Sequence, residues 1–260
     1  MRTAGPSGPV TWPAEAIWEA VAPALPGFTV EILPEVDSSN SELMRRARAG
    51  RDEPVLLVAE RQTAGRGRLG RGWDSAAGAS LTFSLGLPLA PADWSGLSLA
   101  VGVSVAESLH PAIGLKWPND LWVRDHKLAG ILIETASFGA GARYAVIGIG
   151  INIAVRPASG LSTPPAALAG LLPGIEAPAA LLRIAPALVR DVQVFEQAGF
   201  AAFRLRFEAR DVLRDRAVTL SDGRSGTAHG VGEDGSLLVH TAAGLQAISS
   251  SEVSVRPAAS

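Results

Sequence analysis

Residues 54–87 read PVLLVAERQTAGRGRLGRGWDSAAGASLTFSLGL. Pro54–Glu60 is a short continuous apolar run ending in polar residues, the pattern of a buried strand. Ser80–Leu87 alternates as a second strand. The loop between them, Arg61 to Ala79, is unusually rich in glycine and arginine. A Gly-Arg segment held between two apolar strands differs from the Gly-Arg tracts of disordered tails, because its ends are anchored in a folded core.

Upstream, Thr29–Leu33 reads as a strand, and Ser38-Ser39-Asn40-Ser41-Glu42 as a helix start. Ser39 is a candidate cap with Glu42 three residues on, as in a capping box. That helix runs to about Ala49 and stops at Gly50. Trp12–Leu25 is a short apolar-periodic stretch, read as a helix, and residues 1–11 are Gly- and Pro-rich and expected to be disordered. Downstream, Ser95–Leu109 fits a helix packed on a sheet. Lys127–Glu134 and Tyr144–Ile153 read as strands joined through a turn near Gly139–Gly141. After Pro157 the pattern is helical, over Ala166–Leu172, Ala177–Ala198 and Phe200–Val212. From Ala217 on it is short strands: Ala217–Leu220, Gly226–Val231, Leu237–His240, Leu245–Ser249 and Glu252–Val255. Turn signals at Asp222-Gly223, Asp234-Gly235 and Ala243-Gly244 separate them. This predicts a small appended barrel and three parts: an N-terminal segment over 1–28, a main domain over 29–212 and the barrel over 213–260.

The chain has 260 residues, 47 % apolar and 18 % charged, with a formal net charge of −2. That excludes a self-repelling disordered chain and the strongly basic balance of duplex-binding domains. The absence of cysteine removes disulfide frameworks, thiolate metal sites and cysteine nucleophiles. Neither a signal-peptide core nor a membrane-spanning run is present, so a cytoplasmic protein without membrane attachment is expected. The four histidines (His110, His126, His229, His240) are scattered, without metal-ligand spacing.

Three segments carry candidate chemistry. Gly65-Arg66-Gly67-Arg68-Leu69-Gly70-Arg71-Gly72-Trp73 combines glycines that let a backbone approach a ligand, forked arginine donors for phosphate, and an indole face for a purine. Its mutual repulsion predicts disorder without ligand and closure over a bound one, shielding it from water. The competing readings are an RNA-binding Gly-Arg tract and a solvated basic loop. In Lys116-Trp117-Pro118-Asn119-Asp120, lysine, amide and carboxylate fall within five residues, although a plain Pro-Asn-Asp turn between strands reads the same way. Lys127 opens the apolar strand Lys127–Glu134, where period two puts Lys127, Ala129, Ile131 and Ile133 on one face; a solvated strand-end anchor is the bland alternative. Lys116 and Lys127 are the only lysines among 23 basic residues; a genome-level preference for arginine with accidental placement is the bland reading, and sites that want a compact ammonium rather than a guanidinium the sharper one. Asn152, the polar residue of Gly148-Ile149-Gly150-Ile151-Asn152-Ile153, needs partners if buried, whether a neighbouring loop or a ligand.

In order and spacing these blocks resemble the signature segments of biotin–protein ligases. Asp37-Ser38-Ser39-Asn40 is similar to that family's Asp-Ser-Thr-Asn helix start, with serine at 39 keeping the hydroxyl, and the likeness covers roughly Val36 to Arg256. The resemblance implies an α+β fold: a mixed sheet flanked by helices, of the class II synthetase-like type, followed by an SH3-like barrel. It implies ATP, Mg²⁺ and biotin, and a two-step reaction through biotinyl-5′-AMP to a lysine of a biotin carboxyl carrier protein. Ser38, Ser39, Asn40, Gln62 and Gly130 would contact biotin. Arg66, Gly67 and Arg68 would cross biotin and the adenylate phosphate. Trp73 would pack on adenine, and Lys127 would sit between carboxylate and α-phosphate. Arg71, Lys116, Asn119, Asp120 and Asn152 would line the nucleotide side. Lys127, Arg66, Arg68 and Asp120 form the expected catalytic set, with Asp120 the candidate to help hold the metal or orient the amine. About 35 residues before Asp37 leave no room for a helix-turn-helix domain, so a ligase without specific DNA binding, monomeric or homodimeric, is expected. A lipoate or octanoate ligase or transferase of the same fold family shares the logic.

Overall fold

The structure is a computed structural model that describes residues 10–137, 142–155, 165–249 and 255–257. Residues 1–9, the turn at Gly139–Gly141, Pro157 and residues 252–254 of the last predicted strand lie outside these.

A seven-stranded mixed sheet has the order β1-β2-β3-β7-β6-β5-β4. Its strands are β1 (Thr29–Val36), β2 (Val55–Gln62), β3 (Ser80–Leu89), β4 (Gly114–Lys116), β5 (Asp120–Val123), β6 (His126–Ser137) and β7 (Arg143–Asn152). Only β1 and β2 run parallel. The helices α1 (Ala14–Val21), α3 (Leu97–Leu109) and α4 (Ala177–Ala198) close one face over a core that includes Phe83, Ile147, Ile149 and Ile151. On the opposite face lies α2 (Ser39–Arg48). Beneath it Leu43, Met44, Leu57, Tyr144 and Val146 form a small second core. A five-stranded antiparallel sheet follows, in the order β11-β10-β9-β8-β12, comprising β8 (Ala217–Leu220), β9 (Ser225–Val231), β10 (Leu237–Thr241), β11 (Gly244–Ile248) and β12 (Val255–Pro257). This is the expected fold class.

Several expectations are corrected. Residues 166–172 form no helix beyond a 3-10 turn at Leu168–Gly170. The stretch 200–212 is helical only through a 3-10 turn and α5 (Arg204–Glu208). There the sheet edge outcompetes the helix: Leu115 N–H donates to Arg210 O at 2.7 Å and Val212 N–H to Leu115 O at 3.0 Å. The cap of α2 is Ser38, whose Oγ accepts from Ser41 N–H at 3.4 Å, not Ser39. Glu42 pairs instead with Arg45 and Arg46. The strand at 29 continues through Pro34 to Val36, which an edge strand tolerates because proline cannot donate to a ladder.

Lys127 lies on the opposite face of β6 from the one period two predicts. In the β5–β6 pairing, Trp122 faces Lys127 whereas Leu121 faces Ala129. Leu128 is therefore an extra residue, a bulge, and the alternation changes phase there. Leu128 and Ala129 both enter the core. Lys127 shares a face not with Ala129, Ile131 and Ile133 but with Gly130, Leu132 and Glu134, opposite the helices α1, α3 and α4.

Candidate active site

The uncovered half of that face is the floor of a cleft of about 1110 Å³. Its side chains are small: Ser80, Thr82 and Ser84 on β3 stand opposite Asn152, Gly150 and Gly148 on β7. A Cβ at Gly148 would lie 2.1 Å from Asn40 Oδ1, and one at Gly150 would lie 2.3 Å from Trp73 Cε2. These glycines are places where other groups touch the sheet.

One end of the cleft is polar and ordered by the N-terminus of α2. Ser39 N–H donates to Gln62 Oε1 at 2.7 Å. Asn40 Nδ2 donates to Leu132 O at 3.2 Å and to Glu134 Oε2 at 3.1 Å. Ser84 Oγ lies 2.7 Å from both Asn40 Oδ1 and Ser39 Oγ. Asp37 faces away: the Arg45 guanidinium beside it holds its carboxyl down at about 2.

The Gly-Arg loop forms a tight hairpin laid over the cleft. Gly67 N–H donates to Arg71 O at 2.7 Å and Trp73 N–H to Gly65 O at 2.8 Å. One of its three charges is neutralised directly, while Arg68 and Arg71 still oppose each other. Arg66 donates to Glu134 Oε1 at 2.7 Å and Ser41 Oγ at 3.1 Å, and Arg68 lies 3.4 Å from Asn119 Oδ1. Leu69, at the tip, takes a left-handed φ of 55°. Trp73 lies over Gly150, with its indole N–H buried and unpartnered among the described residues.

Toward the other end stand two ammonium groups. Lys127 Nζ is 2.7 Å from Asp120 Oδ1 and 6.0 Å from the centre of the Trp73 ring. Lys116, 7 % exposed, sits 5.2 Å over Trp122. Burial pushes its amine down to about 8, against the pull of Asp120. Asn119 anchors its loop by donating to Ile131 O at 2.6 Å, and Asn152 donates to Lys127 O at 3.3 Å. Burial also lowers the Arg68 guanidinium from its usual range. The cleft thus combines a polar pocket, a cationic hairpin and two lysines, an arrangement suited to holding two anionic reactants together.

Two family descriptions match the chain: the biotin/lipoate A/B protein ligase family over residues 34–152 and the biotin protein ligase C terminal domain over residues 216–256. The chain is 36 % identical over 249 residues to the bifunctional ligase/repressor BirA of Escherichia coli, covering 90 % of this chain and 76 % of that one. It is 31 % identical to a biotin–[acetyl-CoA-carboxylase] ligase of Paracoccus denitrificans, covering 85 % of this chain and 98 % of that one. The chain belongs to the biotin protein ligase family. A solved member of the family, the biotin protein ligase of Aquifex aeolicus in complex with biotin and ATP, superposes with a TM-score of 0.75 at 30 % identity, over 88 % of this chain and 99 % of that one.

The cleft brings together Ser38, Ser39, Asn40, Gln62, Arg66, Gly67, Arg68, Arg71, Trp73, Lys116, Asn119, Asp120, Lys127, Gly130 and Asn152. Sequence reasoning missed Ser84, Leu132, Glu134 and Trp122, and also Gly148 and Gly150 as floor residues. The alternation of glycine with isoleucine along Gly148–Asn152 was a readable signal for the floor. It also missed Arg216, just ahead of β8, and Arg256, on β12, which reach the cleft wall and carry no local signal. Arg216 pairs with Asp125 at 2.5 Å. Among the described residues no three His, Cys, Asp or Glu side chains cluster as a metal site, and no helix is long and apolar enough to cross a membrane.

Proposed function

We propose that this chain is an ATP-dependent ligase that activates biotin as biotinyl-5′-AMP and transfers it to a lysine of a biotin carboxyl carrier protein. The observation that carries this reading is Lys127 beneath a cationic hairpin, at the junction between a polar pocket and an indole-lined floor.

In the first step a biotin carboxylate oxygen attacks the α-phosphorus of ATP and pyrophosphate leaves. Two anions must approach, so their repulsion dominates the barrier. Lys127, held by Asp120, and Arg68 place fixed positive charge where the new P–O bond forms. Ser39 and Gln62 hold the biotin ring, and Asn40 fixes their neighbours. Trp73 takes the adenine, with Lys116, Arg71, Asn119 and Asn152 on the nucleotide side. The mixed anhydride is prone to hydrolysis, and the hairpin shields it from water.

In the second step the acceptor amine attacks the acyl carbonyl and AMP departs. Asp120 keeps a second carboxylate oxygen to orient that amine. One carboxylate already paired with Lys127 is a poor protein cage for Mg²⁺, so an ion accompanying ATP would be held by the nucleotide rather than by this chain's side chains.

The test is mass spectrometry of the protein mixed with ATP and a carrier fragment, with biotin in one arm and lipoate in the other. A gain of one biotinyl group on the fragment is expected. Modification by lipoate alone would replace the substrate, and protection of the hairpin from trypsin by RNA but not by biotin with ATP would replace the function.

A further inference from the structure

Glu134 lies outside every role given so far, yet it joins the two parts of the cleft that must act together. It stands on β6, on the cleft face created by the Leu128 bulge. One carboxylate oxygen, Oε1, receives Arg66 of the hairpin at 2.7 Å. The other, Oε2, receives Asn40 Nδ2 at 3.1 Å. Asn40 is thereby fixed in orientation. Both of its amide hydrogens go to groups that only accept, Leu132 O and the Glu134 carboxylate, so its Oδ1 must face Ser84.

That choice propagates. Asn40 Oδ1 can only accept, so Ser84 spends its single hydroxyl hydrogen there, at 2.7 Å. Ser39 Oγ, 2.7 Å from Ser84, then meets an oxygen with no proton left to give. Gln62 is oriented independently: its Oε1 accepts from Ser39 N–H at 2.7 Å and lies 3.1 Å from Ser39 Oγ, which leaves its Nε2 to donate. A carboxylate is the one side chain that enforces this direction and neutralises a guanidinium at once. Reversing it would cost a buried unsatisfied group at each link.

We infer that Glu134 is a positioning residue: it docks the hairpin through Arg66 and, through Asn40, fixes the donor pattern of the pocket that the proposed function assigns to biotin. The inference rests on that reading for its ligand, but the docking of the hairpin does not.

Two variants test it. Glu134→Gln keeps the shape and removes the charge. Asn40→Ala cuts the pocket branch and leaves Arg66 paired. Each is followed by mass-mapped trypsin cleavage at Arg66, Arg68 and Arg71 without ligand, by thermal unfolding, and by KM for biotin and for ATP. E134Q is expected to raise hairpin cleavage and the biotin KM about tenfold each, to raise the ATP KM as well because the same hairpin carries Arg68, Arg71 and Trp73, and to melt like the wild type. N40A is expected to raise the biotin KM alone. Wild-type cleavage rates and biotin KM in E134Q would overturn the inference. So would an increase in cleavage matched at sites throughout the chain, which would mean global loosening. If E134Q does not fold, N40A decides: hairpin cleavage rising with the biotin KM overturns the two-branch assignment, and a biotin KM rising alone sustains it. If the protein adenylates no biotin, the functional reading fails, while the ligand-free cleavage still judges Glu134.

Discussion

The two faces of β7 differ in kind. Toward α3 and α4 it presents Ala145, Ile147, Ile149 and Ile151, all buried in the main core. Toward α2 and the cleft it presents Tyr144 and Val146, then Gly148, Gly150 and Asn152. The first face maximises apolar contact. The second begins the same way beneath α2 and then gives up side chains, where Asn40 and Trp73 come down onto the backbone. One strand thus supports a core on one side and keeps a cleft open on the other. Substitutions on the two faces should therefore separate cleanly into losses of stability and losses of chemistry.

The largest expected effect is on the cleft side. Lys127→Ala should lower biotin-dependent pyrophosphate exchange by about 10³-fold, as removal of one preorganised charge-stabilising donor does. Its unfolding free energy should change by under about 1 kcal/mol, since the pair with Asp120 is partly solvated. Near-wild-type exchange would remove Lys127 from the chemistry. On the core side, Ile147→Ala should cost about 2–5 kcal/mol in urea unfolding and leave the KM for both substrates unchanged; a shifted KM with intact stability would reverse the assignment of faces.

Lys116 sharpens the contrast, because it is a charge kept inside at the expense of stability. Its amine titrates near 8 in the folded chain, below the ordinary 10.5. Between those values the unfolded chain holds a proton that the folded chain has released, so stability rises with pH across that window. Below about pH 8 the whole penalty is present, so Lys116→Met should be more stable than wild type at pH 7 by up to about 3 kcal/mol. The gap should close toward pH 10, while the ATP KM of the variant rises. A gap that widens with pH would show the lysine to be stabilising. The smallest effect is expected from Gly150→Ala: about a tenfold rise in the ATP KM as Trp73 is displaced, roughly 1.4 kcal/mol of binding, with the overpacking cost of about 1–3 kcal/mol partly offset because alanine orders a strand better than glycine. An unchanged KM would show that Trp73 does not depend on contact with that glycine.

Much of this was legible from local pattern. The Ala/Leu period set α4 at Ala177–Ala198, and the Gly-Arg loop announced itself by composition. What was not legible depends on partners distant in sequence. The phase of β6 is decided by how β5 pairs with it, so the face of Lys127 could not be read from Lys127–Glu134 alone. The side-chain contacts of the Gly-Arg hairpin are with Glu134 and Asn119, 68 and 51 residues from the arginines they meet. The helical reading of 200–212 failed where β4 competed for the same backbone groups.

Trp117 lies immediately before the Pro-Asn-Asp turn, wholly buried, and its indole N–H donates to Gly235 O at 3.0 Å in the turn between β9 and β10. The small C-terminal sheet is therefore a buttress as well as a neighbour. Cutting it away would leave a polar hydrogen stranded behind the wall that carries Asn119 and Asp120, and the damage would be felt at the far side of that wall.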